Sequence, residues 1–327
     1  MRDMNYKVGG DSGKSSTKVS LRVEDGNNIR KQIATTCEKT DTKAKSDSNH
    51  EVFFNGTRYL VGEPNNKLNL RLRTERSKED EVHKICLLTA LCLAIREAEG
   101  KADENKVAIH NVSMTVNMPF SDYIHKDKRQ SMVQFYQTPK LTEIVVDGTR
   151  YNLMLQVLPY FEGLGAGLLK SSEYKTQRVI SLDCGSMNVG YATLDNLKLL
   201  TGTENSGSLE LGCNGLITKI KQFLNDNGIK NINSDSEILK LLSGDNKYIK
   251  AELIEETSKM IKDHVMNIYD NLSELEVQVD TTDIIATGGA ANLYQPFFNQ
   301  VFTNKNVIIL KENTVFANAE GSLKLLK

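Results

Sequence analysis

The sequence predicts an α/β protein built from two similar units. Three stretches carry that reading: residues 179–194 (VISLDCGSMNVGYATL), an echo of them at residues 6–23, and residues 283–293 (DIIATGGAANL). In the first, a short strand runs into Asp183, a turn follows at Cys184-Gly185-Ser186, and strand character resumes at Val189. In the second, Gly9-Gly10 leads into Asp11-Ser12-Gly13-Lys14-Ser15-Ser16-Thr17-Lys18. Val19, Leu21 and Val23 then alternate with polar residues, the period of a half-buried strand. In the third, an apolar strand gives onto Gly288-Gly289 and a helix starts. A strand that delivers a carboxylate to a glycine turn and then returns leaves backbone N–H groups over the turn, a cradle for phosphate. An ordinary hairpin with Asp in its turn reads the same way; it is the repetition that favours the cradle.

Gly13-Lys14-Ser15 has the look of a Walker A ending. That pattern needs Gly at position 8, where the chain has Val8, and it opens a helix, whereas period-2 sequence follows here. The chain has 327 residues, 39% hydrophobic and 25% charged, with a net charge of −1, so no global field favours nucleic acid or a membrane surface. No apolar run reaches the length of a membrane span, and the opening MRDMNYK has no signal-peptide character. Cys37, Cys86, Cys92, Cys184 and Cys213 lack metal or disulfide spacing and read as reduced thiols of a cytosolic protein.

Taken in order, residues 19–37 read as two strands broken at Asp25-Gly26-Asn27-Asn28, and residues 39–50 as a solvated loop. Residues 53–62 form a hairpin around Asn55-Gly56. A polar stretch at 64–77 precedes a broad-faced, largely buried helix over 78–99. A strand over 106–117 ends at Met118-Pro119, residues 122–135 are a charged helical connection, and 141–157 is a hairpin turning at Asp147-Gly148. The Gly-rich residues 158–168 contain a single acid, Glu162. Beyond the second Asp turn come helices over 211–225, 234–243 and 247–272, a last strand over 307–310, and a small-residue helix over 314–326.

These turns, in the order Asp-x-Gly, Asp-x-Gly, Gly-Gly, with small-residue helices at 164–168 and 317–321, resemble the actin/hsp70/sugar-kinase superfamily over nearly the whole chain. Within it, Val116-Asn117-Met118-Pro119-Phe120-Ser121-Asp122-Tyr123, the Leu158-Pro159 segment followed by Glu162, and the chain length are most similar to the bacterial ParM-type plasmid-segregation actins.

The resemblance implies an actin-like ATPase fold of two ribonuclease-H-like α/β domains around a nucleotide cleft: residues 1–158 plus 316–327, and residues 159–315. It implies ATP, or GTP, with Mg²⁺. Asp11 and Asp183 would flank the phosphates and hold the metal through water. Lys18 would offset phosphate charge, and Glu162 would orient the attacking water. Ser12, Gly13, Thr17, Gly185 and Ser186 would contact phosphate, while Gly288, Gly289 and Ala290 would lie against the adenosine. Glu255 or Glu256 could reach the ribose, although surface charge explains both. The implied partners are further copies of the chain in a filament and an adaptor protein bound to plasmid centromere DNA, with no direct nucleic-acid contact and no membrane, in the bacterial cytoplasm. Three features depart from the pattern: Lys14 is an extra cation in the first loop, Gly9-Gly10 replaces bulkier residues, and Met187-Asn188 stands where a second acid is usual. Two other readings stay open: a small-molecule kinase of sugars or carboxylates on the same fold, and a nucleotide-binding scaffold with little hydrolysis.

Overall fold

The structure is a computed structural model and describes residues 4–23, 26–41, 49–62, 78–100, 108–174, 177–230, 237, 238, 241, 250–302, 307–310 and 314–326. The chain divides into two compact units, Met1–Leu169 with Phe316–Lys327, and Lys170–Val315. The polar stretch 64–77, most of the loop 39–50 and most of the helix expected at 234–243 fall outside the described residues.

The first unit is built on nine strands: β1 (Met4–Ser12), β2 (Ser16–Arg22), β3 (Asn28–Ala34), β4 (Cys37–Lys39), β5 (His50–Phe54), β6 (Thr57–Val61), β7 (Ile109–Met118), β8 (Thr142–Val146) and β9 (Thr149–Phe161). They line up as β3-β2-β1-β7-β9-β8-β5-β6-β4. The end strands β3 and β4 are joined by Thr35 and Thr36 alone. Three Cα steps span at most about 11 Å, so the two ends of the strand order must approach and the sheet curls. Helix α1 (Glu81–Glu99) lies inside that curl, touching β1 to β6 and β8. It is buried without a break from His83 to Cys92, which explains why its apolar face is so broad in sequence. Asp80 caps it, accepting a bond from His83 N at 2.8 Å. The hairpin turns at Asn55-Gly56 and Asp147-Gly148 all have positive φ, as two-residue type I′ turns require. Helices α2 (Phe120–Tyr123) and α3 (Lys126–Gln137) follow β7.

β9 runs further than the sequence suggests. Pro159 lies inside it, opposite Val116 of β7. β8 pairs only as far as Leu153, so among the described residues no strand pairs with that side of β9 at Pro159, and the missing N–H is harmless there. The sequence-based boundary at residue 158 therefore falls within a strand, and the unit continues through α4 (Gly165–Leu169).

The second unit has a sheet of β10 (Arg178–Cys184), β11 (Val189–Asp195), β12 (Lys198–Leu199), β13 (Ser206–Leu209), β14 (Asp283–Thr287) and β15 (Val307–Ile309). Its order is β12-β11-β10-β14-β15, with β13 paired to β11. Helices α5 (Cys213–Asp226), α6 (Ala251–Glu274) and α7 (Ala291–Val301) supply its core through Leu216, Ile220, Ile261, Val265, Leu293 and Phe298. The chain returns to the first unit in α8 (Ala317–Ser322), flanked by short 3-10 turns.

Candidate functional site

Each unit places a carboxylate at the end of its first strand. Asp11 is the penultimate residue of β1 and faces Lys18 of β2 in register. Lys18 Nζ lies 3.1 Å from Asp11 Oδ2, so the hairpin itself supplies the counter-charge. The other oxygen, Oδ1, accepts a 2.7 Å bond from Asn117 Nδ2 at the end of β7. The same nitrogen donates to Glu162 Oε1 at 3.1 Å, and Lys78 pairs with that oxygen. Asn117 Oδ1 accepts from Ser12 N at 2.8 Å. The result is a row, Lys18–Asp11–Asn117–Glu162–Lys78, in which a neutral amide joins two carboxylates and a lysine stands at each end.

Behind the row, Ser12 Oγ lies 2.7 Å from His83 Nδ1. Burial, reinforced by Lys78 and Lys14, pushes the His83 pKa down to about 3. The ring is therefore neutral near pH 7, and its Nδ1 can accept from the serine hydroxyl. The loop above is held by its own backbone and by two threonines. Gly13 N donates to Ser16 O at 3.1 Å. Thr35 Oγ1 donates to Gly13 O at 2.6 Å and lies 2.9 Å from Thr17 Oγ1.

These bonds revise several expectations about individual residues. Ser12 and Thr17 are fully buried with their hydroxyls engaged inside the unit, and Ser12 and Gly13 have already committed their N–H groups. They shape the loop and do not offer donors above it, because β1 and β2 keep their ladder up to the turn. What remains at the surface of the loop is partly exposed Gly13 and Lys14, and exposed Ser15. Lys14 is thus also, after Lys78, a cation whose field reaches His83.

In the second unit Asp183 lies opposite Gly190 of β11 and Thr287 of β14. The turn after it is closed by Gly185 N donating to Asn188 O at 3.0 Å. Helix α5 buttresses this turn: Cys213 N and Asn214 N donate to Gly185 O and Ser186 O at 3.1 and 2.9 Å. Gly185 and Ser186 stay partly exposed. The two glycines of the third turn play different parts. Gly288 has φ of 93°, and a β-carbon there would fall 2.5 Å from Asp183 Oδ1, so its bareness serves packing against the Asp turn. Ala290 is buried and its N–H is given to Cys184 O at 3.0 Å. Gly289 alone of the three is exposed, with nothing within 4 Å of the place a β-carbon would occupy. Ala290 thus anchors the turn, and Gly289 is its open, exposed position. Glu255 and Glu256 are exposed on α6.

Sequence reasoning did not single out Asn117, His83 or Lys78 as members of the site. Asn117 gave little signal: it shares its face of β7 with the polar Ser113 and Thr115, while Val112, Met114 and Val116 face the other side. His83 and Lys78 had none, since a polar residue at the start of a helix is ordinary.

Residues 9–165 match the family described as the N-terminal domain of actin like proteins. No curated protein matches the chain in sequence. Among solved structures, the archaeal actin homologue Ta0583 in complex with ADP superposes with a TM-score of 0.69 at 15% identity, covering 98% of each chain. ParM of Bacillus thuringiensis with ATP gives 0.67 at 14% identity, covering 99% of this chain and 98% of that one. The filament of AlfA from a plasmid of B. subtilis gives 0.64 at 17% identity, covering 98% of each.

Proposed function

From the premise that this chain has the actin-like fold, with an actin-like N-terminal domain over residues 9–165, we propose that it is a nucleotide-dependent polymerising ATPase. The observation that carries this reading is the buried Asp11 carboxylate, matched to Lys18 across a glycine turn and tied through Asn117 to Glu162. Such a row gives the two parts that phosphoryl transfer needs: a cation beside the phosphates and a carboxylate placed to orient water. ATP is the first nucleotide to test, with GTP beside it. Lys14, Lys18 and Ser15 line the first loop, Gly185 and Ser186 the second, and Gly289 receives the adenosine face.

Mg²⁺ fits this donor set. Among the described residues no group of three or more acidic, histidine or cysteine side chains could cage a metal. Magnesium with few protein ligands keeps its own waters, through which Asp11 would hold it; Asp183 is the corresponding carboxylate of the second unit. When bound, the ion would neutralise phosphate charge; Lys18 holds the Asp11 carboxylate in place regardless.

The AlfA filament among the structural neighbours, from a plasmid of B. subtilis, supports self-assembly into filaments; a role in moving plasmid DNA through an adaptor bound at a centromere-like site is part of the proposal. The near-neutral chain suits indirect contact with DNA. The test is light scattering with phosphate release over a protein concentration series, with Mg²⁺ and ATP, GTP, ADP or a non-hydrolysable analogue. Scattering above a critical concentration with ATP, and phosphate appearing only there, is the expected result. Release that is first order in protein without scattering would overturn the filament reading in favour of a small-molecule kinase. Scattering without phosphate would leave a nucleotide-binding scaffold.

A further inference from the structure

Asn117 is fully buried, and all three of its side-chain bonds go to the site: it accepts from Ser12 N at 2.8 Å and donates to Asp11 Oδ1 at 2.7 Å and Glu162 Oε1 at 3.1 Å. A primary amide has two N–H donors on one nitrogen, and here each goes to a different carboxylate. We infer that Asn117 is a positioning residue that couples the first loop to Glu162, so that the carboxylate orienting water is held in register with the loop that holds the phosphates. This rests on the reading of Glu162 as the water-orienting residue.

Three features support the inference. First, two carboxylate oxygens bonded to one nitrogen lie within the sum of those two distances of each other. Like charges so close repel. The shared amide, with Lys18 on the other oxygen of Asp11 and Lys78 on the same Glu162 oxygen that the amide bonds, is what makes the approach tolerable. Second, the amide is locked from behind. Its oxygen holds Ser12 N, Ser12 Oγ lies against His83, and His83 N is bonded to the capping Asp80, so the orientation of Asn117 is fixed by the start of α1. Third, Glu162 N donates to Met118 O at 3.0 Å. The backbone of Glu162 is thus tied to the residue after Asn117, and side chain and main chain are registered on the same strand end. Leucine, valine or alanine at position 117 would satisfy the core and leave both carboxylates and Ser12 N without these bonds. The choice of asparagine is accounted for by the coupling.

The experiment is a double-mutant cycle on the full chain, comparing wild type, Asn117→Asp, Glu162→Gln and the double variant. Phosphate release from ATP is measured, with binding of a non-hydrolysable ATP analogue in parallel. Asn117→Asp keeps the shape and the acceptor for Ser12 N but removes the donor. Release is expected to slow by about tenfold or more while analogue affinity stays within about threefold, and the double variant is expected to be no slower than Glu162→Gln alone, because residues that act as a unit are not additive. Effects that multiply in the double variant overturn the coupling, as does wild-type release by Asn117→Asp. Wild-type release by Glu162→Gln overturns the reading of Glu162 itself, a failure told apart because it does not involve position 117. Should Asn117→Asp not fold, as judged by circular dichroism, the cycle is run with the small donor variant Asn117→Ser. A folded Asn117→Ser that has lost analogue binding altogether also overturns the inference, since Asn117 would then serve the loop alone.

Discussion

At the scale of residues, burial decides which groups can act and which support. His83 shows this by its titration. The unfolded imidazole takes up a proton near pH 6.5, whereas the folded one resists until about pH 3, held down by burial and by Lys78 and Lys14. Above pH 6.5 both states are neutral and the residue is indifferent to pH. Between those values the unfolded chain binds the proton and the folded chain does not, so stability falls as pH falls. At pH 5 the loss is about 2 kcal/mol from this residue. His83→Gln offers an amide oxygen to Ser12 and no titration. The difference in urea-unfolding free energy between pH 7 and pH 5 is expected to shrink by about that amount, and an unchanged difference would refute the assignment. The glycine pair of the third turn gives a second contrast. Gly288→Ala forces a side chain into positive φ and against Asp183 Oδ1, and should destabilise the second unit. Gly289→Ala meets open space and should melt like wild type, yet bind ATP analogues more weakly if the adenosine lies there. Wild-type affinity in a folded Gly289→Ala would remove that residue from the site.

At the scale of elements, close backbone approach fixes where helices can lie. A β-carbon on Gly9 would fall 1.7 Å from Ala319 O, and one on Gly321 would fall 2.1 Å from Gly165 O. Helix α8 is thus pressed onto β1 on one side and onto α4 on the other, with Gly165 N donating to Asn318 Oδ1 at 3.2 Å. Gly9, which departs from the family pattern in sequence, is thereby explained: the strand is bare so that α8 can touch it. Gly9→Ala should cost about 1–3 kcal/mol through overpacking, measured by denaturant unfolding; a neutral result would mean that α8 does not hold this place in solution. The same elements show how far the sequence could be read. Strand–turn–strand patterns, hairpin turns and the long helices were legible because period and turn chemistry are local. The end of β9 was not, because Pro159 is acceptable only once β8 has stopped beside it, and that is a property of the partner strand. Nor was β13 (Ser206–Leu209), three small residues and a leucine whose strand state comes from pairing with β11. In the candidate site, Asp11, Lys18 and Asp183 were legible from their turns. Asn117, His83 and Lys78 were not, since each gains its meaning from a neighbour remote in sequence.

At the scale of the whole molecule, the first unit is discontinuous in sequence and the second is an insertion into it. The return segment is short but central. α8 buries Ala317, Ala319 and Gly321, and Ser322 Oγ lies 2.7 Å from Thr115 Oγ1 of β7, all within the first unit. Glu320 pairs with Arg30 of β3. These contacts tie the last residues to β3 and to β1 and β7, the two strands that carry Asp11 and Asn117. The second unit closes its own core from residues 180–309 and uses none of that segment. Truncation after Val315 should therefore act selectively. Amide hydrogen exchange is expected to accelerate across β1, β2 and β7, while β10, β11 and β14 keep their protection, because local stability follows the buried contacts of each cooperative unit. Phosphate release should vanish with the first loop even though the Asp183 turn survives. Uniform loss of protection in both units would mean that they fold as one cooperative body. Unchanged protection in β1 and β7 would mean that the nine-stranded sheet is stable without its last helix, and that the bare Gly9 serves something other than helix packing.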